Sequence, residues 1–403
     1  MSVRLHAQFS FLLEADKLRR VERQNLILDC SRRENSAEHS WHLALYALVL
    51  APFAEPEVNV CRAIRMLLLH DLVEIDAGDH PITDAVDWDA VAQAELAAAD
   101  RLFGLLPADQ GAEFMTLWQE FEAAQSPDAR FAKRLDHCQP VFQTLYGAEP
   151  LDWHVDVVRQ NLFGGRAAAL EHDLPEAFHH ALALLGEDTG YDCSRLTARL
   201  PFLNEADKLK LITRASRLGD GSRHENSAEH SWHIMLYAWV LAEHGADTAD
   251  VDRVLQMLLL HDLVEIDAGD APIHGVVDPA ALAALAAEEQ AAADRLFGLL
   301  PADQGGPMRA IWEEFEAAGS ADAVYAKSID RVQPVLLNLL NGGGSWVDYN
   351  VTLPQLDARV GEKVSRGTPG VWDYVRATIE PWFRETGRLY TSRPAAEPHS
   401  RNG

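Results

Sequence analysis

Four side chains able to hold a divalent cation occur in this chain twice, in the same order. His39, the adjacent pair His70-Asp71, and Asp136 return as His230, His261-Asp262 and Asp330. The first members are shifted equally (230 − 39 and 261 − 70 both give 191) and the last by 330 − 136 = 194, so a three-residue insertion lies between. Two imidazoles and two carboxylates are a donor set for one divalent ion of borderline hardness. Four protein ligands on an ion that favours six leave room for water and a substrate oxygen. Such an ion acidifies its water and neutralises charge on a phosphoryl group, which is the chemistry of phosphate-ester hydrolysis. A lone His-Asp pair on an apolar helix is ordinarily a hydrogen-bonded core pair. The complete set, duplicated in register, points to ligands.

Other duplicated groups surround these four. Glu74 and Glu265 lie four residues beyond His70 and His261, on the same face of a continuous helix. A carboxylate there can take or hold a proton of an attacking water. Asp79 and Asp270 follow Gly78 and Gly269 at a helix end, where they face a cleft or only close the helix. Phosphate binding needs cations, and Arg23 with Arg214 and Arg32 with Arg223 are the duplicated candidates. Lys133 and Lys327 stand three residues before the final aspartates. His42 and His233 follow the first ligand by three and are expected to pack or to support it, because the ligand set is already complete. His80 and His137 have Ala271 and Arg331 as counterparts, so a peripheral place is expected for them.

The elements that must position these groups are themselves repeated. AEHSWH recurs at Ala37 and Ala228, MLLLHDLVEIDAGD at Met66 and Met257, and ADRLFGLLPADQG at Ala99 and Ala293. A period this long means two globular units, not a solenoid. The expected division is 1–190, 191–392 and a flexible C-terminal tail, 393–403. Ala37–Leu50, Val58–Ile75, Ala90–Leu106 and Phe114–Ala124 carry apolar residues at helical spacing, and alternating strand-like runs are scarce. The expected fold is all-α, a helical bundle in each unit, with the ion tying three helices together.

Composition excludes some partners. The formal charge of −27 argues against nucleic acid and anionic membranes. No apolar run approaches the roughly 20 residues of a membrane span. Four cysteines without paired spacing, and an N-terminus without a signal-peptide layout, fit a cytoplasmic protein.

Both units resemble the HD-domain phosphohydrolases, whose pattern is H…HD…D, and within them the branch containing 5′-deoxynucleotidases. RRENSAEHSWH at Arg32–His42, HDLVEIDAGD at His70–Asp79 and LWQEFEAAQSPDARFAKRLD at Leu117–Asp136 carry the likeness, with their second-copy equivalents. The resemblance implies one divalent ion per domain (Mn, Co, Mg, Zn or Fe are not distinguished), and phosphomonoesterase action on a nucleotide-like small molecule. It also implies that Glu74, Asp79, Glu265 and Asp270 act near the attacking water and the leaving group. Members of this branch pair as dimers, so an intrachain pseudo-dimer is expected, with higher oligomers open. The deoxynucleotidases pair an arginine with an aromatic near Arg23. RQNLI at Arg23–Ile27 and RASRL at Arg214–Leu218 have no tryptophan, so deoxynucleoside monophosphates stay among the candidate substrates while selectivity for deoxyribose is left open. A non-catalytic nucleotide sensor, and a di-iron oxidase of the same superfamily, are the competing readings. After the last aspartate the copies diverge, and only the second has the loop Gly342-Gly343-Gly344-Ser345-Trp346, whose glycines suit close approach to a ligand or a backbone.

Overall fold

The computed structural model describes residues 3–81, 86–187, 189–271 and 278–390; the expected tail at 393–403 lies outside them. The fold grows from two central helices, Ser36–Val49 and Ser227–Val240. Both read as apolar on all sides, and a helix of that kind belongs in the middle of a core. Every residue of the second is buried, and every residue of the first except Leu48. Each begins with a capping box, in which the Asn35 side chain accepts from the Glu38 amide and Glu38 accepts from the Asn35 amide, both at 2.9 Å. Asn226 and Glu229 repeat the arrangement.

The two boxes are also crossed. Asn35 Nδ2 donates to Glu229 Oε2 at 2.9 Å, and Asn226 Nδ2 donates to Glu38 Oε1 at 2.5 Å. One turn further on, Trp41 Nε1 donates to the Leu259 carbonyl and Trp232 Nε1 to the Leu68 carbonyl. The two sequence repeats therefore share one continuous buried core. The segment before each central helix lies across this junction. Phe9, on the first helix (Val3–Ala15), meets the edge of Tyr237 at 6.1 Å and stacks on Tyr374 at 5.1 Å.

Around the first central helix stand Val60–Leu69, Trp88–Phe103, Ala108–Ala123 and Pro127–Leu145. Val251–Leu260, Pro279–Phe297, Ala302–Ala317 and Ala321–Leu340 surround the second. The structure departs from the sequence expectation in two places. The helix expected over Val58–Ile75 ends at Leu69, and His70–Val73 form a tight turn before a short helix, Glu74–Ala77. Each copy also contains a small antiparallel ribbon, Glu22–Leu26 with Arg33–Asn35 and Thr213–Arg217 with His224–Asn226. These strands show no alternating pattern because they pair with each other over helices and have no sheet face to bury.

The glycine loop of the second copy packs on its own C-terminal helix, Pro369–Glu385. A β-carbon on Gly343 (φ +111°) would come within 2.1 Å of the Trp382 ring, so this close approach is to a side chain of the same unit.

Asn35 caps a helix and bridges to a buried carboxylate, whereas Asn59 caps an exposed helix start through one bond to the Arg62 amide. Asn35→Ala should cost about 3 kcal/mol and Asn59→Ala about 1 kcal/mol. Urea unfolding measures both, and equal losses would show that the crossed contact contributes nothing.

Candidate functional site

The ribbon, the central helix and the helix Pro127–Leu145 converge on His39. This imidazole has no exposed surface. Its Nδ1 sits 3.1 Å from Gln139 Oε1 and 3.6 Å from the buried Glu34 carboxylate, so Nδ1 carries the proton that both acceptors need. Nε2 then points at Asp136 Oδ1, 3.2 Å away. His70 Nδ1 donates to the Leu67 carbonyl at 2.8 Å, which likewise frees Nε2. Among the described residues that buried Nε2 atom has no hydrogen-bond partner, and it lies 3.0 Å from Asp71 Oδ1 and 3.9 Å from Asp136 Oδ1. His39, His70 and Asp136 each offer an atom within 4.8 Å of the others, and His230, His261 and Asp330 do the same. Two outward lone pairs among carboxylates, one of them orphaned, fit a divalent cation and fit a hydrophobic core poorly.

Asp71 stands beside this trio. Its Oδ1 faces His70 while Oδ2 accepts from Arg23 Nη1 at 2.8 Å; Arg214 holds Asp262 in the same way at 2.7 Å. The turn at His70–Val73 delivers Glu74 by a different route from the expected continuous helix. Its Oε2 accepts from Ser36 Oγ at 2.6 Å, and Oε1 lies 3.9 Å from Arg23. Ser227 and Glu265 match at 2.5 Å. Asp79 borders the same cavity, and Asp270 lies 3.8 Å from Arg214.

Electrostatics separates the carboxyls into two groups. Burial works against ionised Asp136, yet the adjacent His39 and His70 imidazoles outweigh it and hold this group well below the usual carboxylate range. Asp330 behaves alike through His230, although burial opposes it too. Burial and Arg214 disfavour the His230 imidazolium, but Glu225 and Asp330 prevail and raise it to about 9. Glu74 and Glu265 go the other way. Burial first, then Asp71 or Asp262, pushes both well above the ordinary range, and burial also raises Asp79 and Asp270. A cluster holding both strongly ionised ligands and reluctant carboxyls is equipped to bind a cation and to move a proton.

A cavity of about 340 Å³ opens over the first cluster, bordered by Arg23, Asp71, Glu74, Asp79, Trp88 and Trp153 among others. His80 and His137 border it as well, which corrects the expectation that they are peripheral; sequence comparison missed them because the second copy replaces both. Lys133 also borders the cavity, with its ammonium 3.9 Å over the Phe121 ring and 2.8 Å from Glu122. Arg32 and Arg223 are not brought to the clusters. Arg32 forks onto Glu38 and reaches the Lys210 carbonyl, and Arg223 forks onto Glu229 and reaches the Arg19 carbonyl. Their charge is spent on the junction between copies, since Glu38 and Glu229 are buried there and need it. Glu34, Gln139 and Ser36, with Glu225, Gln333 and Ser227, were not singled out from sequence. The available signal was their place inside the duplicated segments.

His42, the duplicated histidine outside the ligand set, donates from Nε2 to the Leu203 carbonyl and accepts at Nδ1 from Lys210 at 3.1 Å. Burial first, then Lys210, lowers its pKa from 6.5 to about 3. The unfolded chain takes up this proton near 6.5 and the folded chain refuses it, so stability falls as pH drops below that value. The slope is about 1.4 kcal/mol per pH unit for one proton. His42→Gln should flatten the pH dependence of metal-free unfolding by about that slope between pH 6 and 4. Identical slopes would mean that His42 titrates normally in the fold.

Comparison with known proteins places this geometry. A model of the HD domain family matches residues 15–178 and 206–372. The human protein named 5′-deoxynucleotidase HDDC2 is 31% identical over 134 residues, covering 33% of this chain and 64% of its own length. Its Bos taurus counterpart is 32% identical over 134 residues, with 33% and 64% covered. The match thus spans less than two thirds of either relative. A solved structure from Magnetospirillum magnetotacticum MS-1, described as a predicted metal-dependent phosphohydrolase, is 43% identical. It covers 49% of this chain and 97% of its own, with a TM-score of 0.46.

Proposed function

The chain belongs to the HD domain family through both of its copies, and from that premise we propose a divalent-metal-dependent phosphohydrolase of the 5′-nucleotidase type. Its substrate in this reading is a phosphomonoester of a nucleotide-like small molecule, in line with the relatives named 5′-deoxynucleotidase. The observation that carries it is the pair of imidazole Nε2 atoms converging with carboxylates beside a cavity of about 340 Å³, a size suited to a small ligand. We assign one ion to each unit, held by His39, His70, Asp71 and Asp136 in the first and by His230, His261, Asp262 and Asp330 in the second. The ion would neutralise phosphoryl charge and lower the pKa of an attacking water.

The chain's own groups do the rest. Arg23 and Arg214 keep Asp71 and Asp262 turned toward the imidazoles, and their planar forks suit a phosphoryl oxygen. Glu74 and Glu265 are fixed by serine hydroxyls, and burial raises the pKa values of both carboxyls, which suits each to take up a proton and pass it to or from an oxygen. Asp79 and Asp270 are assigned to the same step from the opposite end of the short helix. The two units, 1–190 and 191–392, act as an intrachain pseudo-dimer, for which the crossed asparagine–glutamate contacts are the support. The charge of −27 disfavours nucleic acid as a substrate, and among the described residues no helix is long and apolar enough to cross a membrane.

Phosphate release from a panel of ribo- and deoxynucleoside monophosphates, with Mn2+ or Co2+ added, tests the activity. No release from any member would sink it. Asp71→Ala should lower bound metal by about one equivalent and leave the second unit loaded. An unchanged metal content would refute the ligand assignment. Glu74→Gln combined with Glu265→Gln should keep the metal and slow turnover by about 10²–10⁴-fold. Near-normal turnover would remove the proton-transfer role.

A further inference from the structure

Glu34 and Glu225 touch the first imidazole of each cluster, and neither has any exposed surface. A carboxylate buried this deeply needs a counter-charge. For Glu34 it is Lys210, whose Nζ lies 2.7 Å from Oε1. For Glu225 it is Arg19, whose Nη1 lies 2.5 Å from Oε2. Lys210 belongs to the second sequence repeat and Arg19 to the first, and they are equivalent positions (210 − 191 = 19). Each copy thus supplies the nearer cation to the carboxylate of the other copy's cluster, while the own-copy arginines stand further off, Arg23 at 4.0 Å from Glu34 and Arg214 at 3.6 Å from Glu225.

Everything around the two cations holds them in this role. Lys210 is also paired with Asp207, and Arg19 with Asp16. The Lys210 carbonyl accepts from Arg32, and the Arg19 carbonyl from Arg223, so both backbones are pinned by the copy they serve. Gln139 Nε2 reaches Glu34 while Oε1 faces His39 Nδ1; Gln333 Nε2 reaches Glu225 at 2.9 Å. A chain of contacts therefore runs from the cation of one copy, through a buried glutamate, to the metal-facing imidazole of the other.

We propose that Lys210 is a positioning residue for the first metal cluster and Arg19 for the second, so that neither repeat is a complete site without its neighbour. This rests on the ligand assignment above. With Glu34 ionised and fixed, the Nδ1 proton of His39 stays on the glutamate side and Nε2 stays available. Without the cation, the Glu34 carboxylate loses the contact that orients it, and the His39 ring loses the acceptor that holds it.

The test uses the full chain in two backgrounds, Asp262→Ala to report on the first cluster and Asp71→Ala to report on the second, with Co2+ binding followed by visible absorption. Lys210→Met should weaken Co2+ binding about 10- to 100-fold in the first background and change it less than about 2-fold in the other. Arg19→Met should show the opposite pattern. Lys210→Arg, which copies the partner position, should bind within about 3-fold of its parent. Lys210→Met with Glu34→Gln removes both buried charges and keeps the measurement possible if the lone carboxylate blocks folding; it should weaken the first cluster only. Equal losses in both backgrounds, or no loss in the first, overturn the proposal. Absence of Co2+ uptake by both parents overturns the ligand assignment and the proposal with it.

Discussion

Glu34 and Glu225 must stay ionised with no water around them, and that requirement governs much of the architecture. A buried charge without a partner is costly, and removing one member of such a pair typically costs about 3–5 kcal/mol. Burial would raise both carboxyls, yet both are held far below the ordinary range, Glu34 chiefly by Lys210 and Glu225 chiefly by His230, with Arg19 next. The counter-charges cross between copies, so the central helices Ser36–Val49 and Ser227–Val240 cannot separate without stranding four buried ions. The crossed capping boxes and reciprocal tryptophan bonds tighten the same seam.

Linking the two copies in one chain suits this constraint. A counter-charge borrowed from a separate molecule is present only while the pair is associated, whereas a tether makes its supply intramolecular. The linkage also permits asymmetry. Lys210 and Arg19 occupy equivalent positions but differ in kind, and a guanidinium and an ammonium are not interchangeable in a packed site. Lys210 places a point charge between Asp207, Glu34 and the His42 ring, whereas Arg19 spans Asp16 and Glu225 with its fork.

The side chains that converge in each cluster were legible because duplication marks them one by one: His39, His70 and Asp136 lie far apart in the chain yet recur in order. The all-α architecture was legible because helical spacing is a local signal. The turn at His70–Val73 was not. Its residues continue an apolar helical pattern, and the turn that buries Leu72 and Val73 has no local signal in that pattern. Arg32 was misplaced for a related reason. A duplicated arginine seven residues before a ligand looks like a phosphate binder, and nothing local reveals that Glu38 lies buried beside it. Glu34 carried only the signal of its duplication as Glu225, since a glutamate in a polar stretch is ordinarily solvated. Its burial depends on a contact 176 residues away in the chain.

Where the shared constraint does not reach, the copies have drifted, and they have done so at the cavity wall. The first copy places Trp88, with Arg166 5.1 Å over its ring, His137 and Trp153 around the cavity. In the second, Leu282 stands where Trp88 would be and Arg331 replaces His137, its guanidinium 3.6 Å from Asp330. Lys363 joins it there, its pKa lowered first by Arg331, then by burial and by Lys327. Three cations press on one another beside the second cluster, while the first has an imidazole whose charge burial disfavours. The buried glutamates that touch both clusters are paired with cations of the opposite copy, so a change at either pair is felt in both copies. The walls answer to no such reciprocal demand, which leaves them as the part of each unit free to meet a different ligand.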